Sequence, residues 1–580
     1  MASIFGLIIL ERCNQGGTAA VYQWLIQSPW LACLEIAVLA LLYGLFRAFF
    51  QRPLLPFAIY GALIYFLGTA NYYKIFYRSE PLIPYDVFNL PAAASIADNM
   101  HFSFDPGLLF NLLFFIVCLL LVWFGQKKLY QSLPVKLIWR VAVIFCIAVP
   151  FFGYFTKIPH LQALGVEDIR YNQFLNYRNN GFTISMLMNL SDSGVDMPQG
   201  YGANTLQAVG RELQDAEEPA PLGHPEGQPH IIVFQMEAYG DPRIIDPRIE
   251  YGKDPFEPLA PYSEEIQFFD TVTSTIGGGT ANTEYELLTG YNMYFCPPGV
   301  TPFIRYVNKP KPSLVRELAG QGYRTVAMHP HVGSFYNRSI VYPNLGFQRF
   351  VTQEEFEDPR YVGYYISDED YSKKIIELYE EEKEQGPLFL FTVSIQNHGP
   401  YSYPEIHRPY PVKLKDGLVL DEVQVQELET YGANIWDSSA ALASLMDYFS
   451  QVEEPVLFLV YGDHQASWSW AKGLPSSPEQ DLKKYITKSF FWANYPLESD
   501  GRGMISSSGL APEILRRAGL DLSLYNKGIA LQFQDILAYN VAVTVENDGA
   551  VDYVNAERLD KFHMIQYDRM FGKNYLGKVR

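Results

Sequence analysis

The sequence predicts two parts in one chain: an N-terminal α-helical multi-pass membrane domain, then an exported α/β domain with a mostly parallel central sheet. Three observations carry this. Long apolar runs are confined to the first 160 positions. Charge divides at the same place, with 10 Lys and Arg against 6 Asp and Glu in residues 1–160, leaving 34 against 57 for the rest. From His230 onward, short apolar runs alternate with segments of helical periodicity, the pattern of βαβ units. At 580 residues the chain exceeds one ordinary domain.

Four stretches, Pro29–Phe50, Leu54–Tyr72, Gly107–Phe124 and Leu137–Phe155, are long enough to cross a hydrocarbon core of roughly 30 Å. The Ile4–Leu10 run is too short to span and ends at Glu11 and Arg12. It reads either as the stub of a further helix or as an interfacial piece. Arg47 and Arg52 follow the first span, and Lys127, Lys128, Lys136 and Arg140 flank the turn between the third and fourth. Short loops rich in Lys and Arg face the cytoplasm, so the loop around residues 73–106 and everything after Phe155 are expected outside. Glu35 lies inside the first span, near its outer end, where snorkelling or pairing is the expected remedy for a charge in lipid.

The boundaries that follow are a membrane domain at 1–155, a linker at 156–228, an extracellular catalytic domain at 229–540 and a C-terminal tail at 541–580 packed on it. The linker ends in the Pro/Gly/Glu-rich stretch Glu217–Pro229. Cys13, Cys33, Cys118 and Cys146 fall in the front part, which leaves Cys296 alone behind and excludes an internal disulfide there. No nucleic-acid partner is expected of the acidic part.

Within the α/β part, strands are predicted at His230–Phe234, Tyr323–Met328, Leu388–Val393 and Val456–Tyr461. Helices are predicted at Pro312–Gly320, Ser372–Glu384 and Glu427–Phe449. Ligands of such sheets bind at the carboxyl ends of the strands. Beyond those ends stand Glu237, His329, His398 and the pair Asp463-His464.

The segment from Ser274 to Leu288 contains Gly277-Gly278-Gly279-Thr280 followed by residues with helical spacing. It reads as a loop delivering Thr280 to a helix N-terminus. There Thr280 is either a simple helix cap or part of an anion site, because free backbone N–H groups and the helix dipole favour a phosphate and glycines let it approach. Glu237, Asp463 and His464 together with the Thr280 oxygen offer mixed O/N coordination suited to one divalent cation, Mn²⁺ or Zn²⁺, with Mg²⁺ as an alternative. A cation would favour the alkoxide of a hydroxyl that is otherwise a poor nucleophile.

In Gln235-Met236-Glu237, Gly279-Thr280-Ala281-Asn282-Thr283-Glu284, His329 followed by Phe335-Tyr336-Asn337-Arg338, Gln396-Asn397-His398-Gly399-Pro400 and Tyr461-Gly462-Asp463-His464, the chain resembles the lipoteichoic acid synthase/phosphoglycerol transferase branch of the alkaline phosphatase–sulfatase superfamily. The closing Gln566-Tyr567-Asp568-Arg569-Met570-Phe571-Gly572 is similar to the tail of many bacterial members. The resemblance implies a sulfatase-like (alkaline phosphatase-like) exported domain. It also implies a cation, usually Mn²⁺, held by Glu237, Thr280, Asp463 and His464, with Thr280 as nucleophile. His329, Arg338 and His398 would contact the phosphate and glycerol of the substrate.

Two positions depart from the synthases. His331 stands where they carry an acidic residue, and Tyr336 where they carry tryptophan. Both belong to the substrate-contacting group. The implied reaction is attack of Thr280 on phosphatidylglycerol, loss of diacylglycerol with a histidine as acid, His398 ahead of His329, and transfer of glycerol phosphate to a polymer or glycan acceptor at the membrane.

Three rival functions have sequence marks of their own. A sulfatase needs Cys-x-Pro-x-Arg, and Cys296-Pro297-Pro298-Gly299-Val300 lacks the arginine. Phosphoethanolamine transferases share the threonine but commonly carry disulfides in the exported domain. An inert membrane protein that binds lipid or polymer would not need all four cation positions.

Overall fold

The computed structural model describes residues 1–50, 52–78, 80–90, 105–129, 136–155, 157–167, 169, 173–191 and 194–579. The expected outer loop therefore falls partly, and the turn before Lys136 mostly, outside the described residues. Two compact units emerge, one built mainly from residues up to 194 and the other mainly from 195 onward.

The first unit is helical: α1 (Ala2–Gln15), α2 (Thr18–Gln27), α3 (Pro29–Phe49), α4 (Leu54–Arg78), α5 (Pro106–Leu129) and α6 (Leu137–Phe155). Helices α3 to α6 are long and apolar enough to cross a membrane, and they coincide with the four predicted spans. The Ile4–Leu10 run is the middle of α1. At 14 residues this helix is only about 21 Å long, yet Phe5, Leu7, Ile9 and Leu10 are buried within the unit. It is a short helix packed within the unit.

Glu35 is paired, as expected of a carboxylate in an apolar span, and its partner is a helix terminus. Its Oε1 accepts from Thr183 N at 2.5 Å, while Glu11 Oε1 accepts from Phe182 N at 2.6 Å. Two carboxylates thus satisfy the free N–H groups at the start of the helix Phe182–Ser191. The expected connector accordingly divides. Residues 173–191 pack in the helical unit, and the helix Ala203–Asp215 packs in the second, where Leu206 and Leu213 join Ile529, Phe562 and Ile565 in one apolar cluster.

The second unit is organised by one eight-stranded sheet. Its strands in chain order are β1 (His230–Met236), β2 (Gln267–Val272), β3 (Arg324–Met328), β4 (Arg349–Val351), β5 (Leu388–Val393), β6 (Val456–Gly462), β7 (Ile486–Ala493) and β8 (Met504–Ser506). They lie in the spatial order β8-β2-β7-β6-β1-β5-β3-β4, and every pairing is parallel except those of β7 with its two neighbours. Strands β1 and β6 are buried at every position; β6 reads as an unbroken apolar run, and β1 as an apolar run interrupted near its ends by His230 and Gln235.

Four helices frame the site: α7 (Thr280–Thr289), α8 (Arg338–Leu345), α9 (Asp368–Glu382) and α10 (Glu422–Phe449). Ser367 caps α9, and Asp421 with Gln424 forms a full capping box on α10. The C-terminal residues pack on the unit through Gln566, which accepts from Asn292 N at 2.9 Å and donates to Tyr539 Oη at 2.9 Å. Asp568 accepts from Tyr201 Oη at 2.7 Å and from the backbone of Leu576 at 2.8 Å.

Candidate metal and nucleophile site

The parallel strands end on one side, and there β1 delivers Glu237, β6 delivers Asp463 and His464, and the loop after β2 delivers Thr280 at the first position of α7. Each side chain is oriented by its own backbone neighbours. Ser394 Oγ accepts from Glu237 N at 3.1 Å, and Ala238, at φ 48°, turns the chain so that its N–H donates to Asp463 Oδ1 at 2.7 Å. Asp463 Oδ2 is buried and makes no hydrogen bond among the described residues. His464 Nδ1 lies 3.0 Å from Gln465 O, so the hydrogen resides on Nδ1 and the Nε2 lone pair is directed at the carboxylates. That Nε2 is 3.4 Å from Glu237 Oε1 and 3.4 Å from Asp463 Oδ2. Thr280 Oγ1 donates to Glu237 Oε2 at 3.4 Å.

The ligand atoms of Glu237, Asp463 and His464 lie within 4.8 Å of one another, all buried. Burial, and for Glu237 also the adjacent Asp463 charge, pushes both carboxyls far above the ordinary carboxylate range. Two buried acids sharing one imidazole, with an unbonded carboxylate oxygen aimed among them, form a donor set that a divalent cation fits. The set mixes hard oxygen with one nitrogen.

The glycine run is rigidly specified. Gly277, Gly278 and Gly279 have φ of 63°, 145° and 86°, all in the region that favours glycine. A Cβ on Gly277 would lie 2.4 Å from Ser467 Cβ, in the segment that follows His464. Gly277→Ala is therefore expected to lower stability by about 1–2 kcal/mol from the backbone alone, and by more with the clash. Urea denaturation measures it, with a parallel loss of metal affinity. Below the loop, Glu286 accepts from Ser274 Oγ at 2.7 Å and Met293 N at 2.7 Å and contacts Ser507 Oγ, and burial pushes its carboxyl up to about 7.

On the other flank stand the candidate substrate residues. His329 follows β3 and donates from Nδ1 to Val393 O at 2.9 Å, leaving a buried Nε2 with no hydrogen bond among the described residues. Burial and the nearby Arg338 charge hold this imidazole neutral, far below its ordinary pKa; the same two causes bring His331 down to about 4. His398 follows β5, with Nδ1 2.7 Å from Gly399 O and 3.2 Å from Tyr365 Oη. Tyr336 and Asn337 both have positive φ, 54° and 60°, a strained turn costing roughly 1–3 kcal/mol per residue that aims Arg338 inward.

Arg338 is fully buried, and the fork expected to meet phosphate is engaged by Glu284. Its Nε lies 3.2 Å from both Glu284 oxygens, Nη2 bonds Oε1 as well, and Tyr342 Oη donates to Oε2 at 2.7 Å. Only Nη1 is left, with Phe335 O at 3.4 Å. Glu284 and Tyr365 are the residues that sequence reasoning passed over. Glu284 had one faint signal, lying one helical turn beyond Thr280; Tyr365 had none.

The sulfatase family model matches residues 229–520, half of the chain and the whole of the sheet just described. The chain belongs to the sulfatase family. Among curated proteins, it is 29% identical over 432 residues to a Rhizobium meliloti protein named for cyclic beta-1,2-glucan modification. That match covers 71% of this chain and 65% of the relative, just under two thirds of its length. It is 24% identical over 276 residues to lipoteichoic acid synthase 1 of Bacillus subtilis, covering 45% of this chain and 38% of that one. Among solved structures, the Streptococcus pyogenes phosphoglycerol transferase GacH, in complex with sn-glycerol-1-phosphate, superposes with TM-score 0.54 at 22% identity. It covers 67% of this chain and 98% of that one, and establishes the sulfatase fold.

Proposed function

We propose that this sulfatase-family membrane protein is a phosphoglycerol transferase that moves glycerol phosphate from phosphatidylglycerol to a glycan through a phosphothreonine at Thr280. The convergence of Glu237, Asp463 and His464 on the Thr280 hydroxyl at a helix N-terminus carries the reading. The head group follows from the phosphoglycerol transferases and lipoteichoic acid synthases among its relatives, and the glycan acceptor from the relative named for glucan modification. By the charge of its short loops, the sulfatase-like unit faces outward, where a lipid donor lies within reach of a tethered site.

Glu237, Asp463, His464 and Thr280 would hold one divalent cation, Mn²⁺ by the family resemblance, which would lower the pKa of the hydroxyl and offset phosphate charge. Thr280 Oγ1, its proton already lost to solvent, forms the new P–O bond as the bond to the diacylglycerol oxygen breaks, and the leaving oxygen takes the proton carried by His398 Nε2. His329 is unsuited to this task because it is held neutral. In the second step His398 Nε2 takes the proton of the acceptor hydroxyl as that oxygen displaces threonine. Arg338 and the α7 N-terminus stabilise the phosphoryl oxygens. His331 and Tyr336, where the synthases carry an acid and a tryptophan, would meet the head group.

The test is incubation of the detergent-purified protein with Mn²⁺, head-group-labelled phosphatidylglycerol and a β-glucan oligosaccharide. Label is expected on the oligosaccharide and diacylglycerol in the lipid fraction, with both lost to a chelator and restored by Mn²⁺. Cleavage of a different phospholipid with phosphatidylglycerol untouched would overturn the donor assignment.

A further inference from the structure

The short hairpin ahead of α9, Tyr361–Val362 paired with Tyr365–Ile366, lies outside the main sheet yet reaches the His398 segment. Three ties join it there. Tyr365 Oη is 3.2 Å from His398 Nδ1, with the two rings 5.3 Å apart. Asp368 N, at the start of α9, donates to Gln396 Oε1 at 2.7 Å. Ser438 Oγ donates to Asp368 Oδ2 at 2.5 Å and accepts from Asn397 Nδ2 at 3.0 Å, and Tyr401 Oη donates to Asn397 O at 2.6 Å. Residues 396–398 are thus held from both sides while the His398 backbone belongs to a loop and to no strand.

The direction of the Tyr365 contact follows from the chemistry. Gly399 O, 2.7 Å from His398 Nδ1, can only accept, so the hydrogen is on Nδ1 and the Tyr365 oxygen meets it as a second acceptor. In the neutral ring Nε2 then carries the lone pair. Tyr365 is itself buried, so its hydroxyl holds one position.

We infer that Tyr365 is a positioning residue for His398, fixing the ring plane on which proton transfer at Nε2 to and from the leaving and entering oxygens depends. This rests on the reaction proposed above. Tyr365→Phe keeps the ring packing and removes only the second acceptor. Loss of one such hydrogen bond is expected to lower kcat for diacylglycerol release roughly 3–10-fold with KM for the lipid unchanged, since the ring no longer holds its productive orientation.

Tyr364→Phe is the control. It removes a bond of the same hairpin, Tyr364 Oη to Glu405 Oε1 at 2.9 Å, and leaves the Tyr365 hydroxyl in place, so kcat is expected to stay at the wild-type value. An unchanged kcat in Tyr365→Phe, or an equal loss in both variants, overturns the inference. Should the wild type release no diacylglycerol from any phospholipid, the proposed reaction falls separately. Histidine ¹⁵N NMR of the full chain then reads the inference directly. One sharp His398 ring signal that splits or broadens in Tyr365→Phe alone upholds it, and an unchanged signal overturns it.

Discussion

Thr280→Ala is expected to reduce diacylglycerol release by at least roughly 10³-fold, the scale of loss when a nucleophile is removed and only binding and electrostatic stabilisation remain. The fold should survive. The Thr280 hydroxyl contacts only the two carboxylates of the site among the described residues, Glu237 at 3.4 Å and Asp463, and the residue stands at the first position of α7, where alanine is a good helix former. Thermal unfolding of the metal-free protein should therefore shift little, while Mn²⁺ affinity falls because one oxygen donor is gone. A second readout separates nucleophile from mere ligand. With phosphatidylglycerol and no acceptor, intact-protein mass spectrometry should find a glycerophosphoryl adduct on the wild type and none on Thr280→Ala. A residual rate in the variant close to the wild type would remove the covalent step from the scheme.

The ends of the central strands were legible in the sequence because β1, β5 and β6 are buried on both faces and so carry apolar runs, 231–234, 388–391 and 456–461, that stop just short of Glu237, Ser394 and Asp463. The side of the sheet formed by β7, β2 and β8 was not legible. In β2, Phe268 is 54% exposed, and in the same strand Asp270 faces Lys488 of β7 at 3.7 Å. One-sided exposure puts charges inside strands, and the apolar pattern that marks a strand dissolves.

The membrane spans were plain for the opposite reason. Lipid demands an unbroken apolar length, so α3 to α6 stand out, whereas α1 is shorter than a span and earns its burial from neighbours that a linear reading does not see. At the site, the cation donors could be gathered by one rule, strand ends on a parallel sheet. The partner of Arg338 could not, since Glu284 lies 54 residues away and its place one helical turn beyond Thr280 does not say which cation it meets.

That buried pair carries the second large effect. Arg338 and Glu284 are both fully buried, and their bond ties α8, which follows the His329 and His331 loop, to α7, which bears Thr280. Removing one charge strands the other in a low dielectric, so Glu284→Gln and Arg338→Met are each expected to cost about 3–5 kcal/mol in chemical denaturation. The double variant leaves no orphaned charge and should recover much of that loss, with a coupling that far exceeds the scatter of additive sites.

Activity should not follow stability. A guanidinium without solvent around it acts on a phosphoryl group through the Nη1 hydrogens that Glu284 does not engage, and the methionine cannot replace them. The stable double variant is therefore expected to remain about 10²-fold below wild type in donor turnover, the loss typical of one missing oxyanion donor. Recovery of activity together with stability would instead make Arg338 a strut between two helices, and phosphate stabilisation would then fall to the α7 N-terminus and the cation alone.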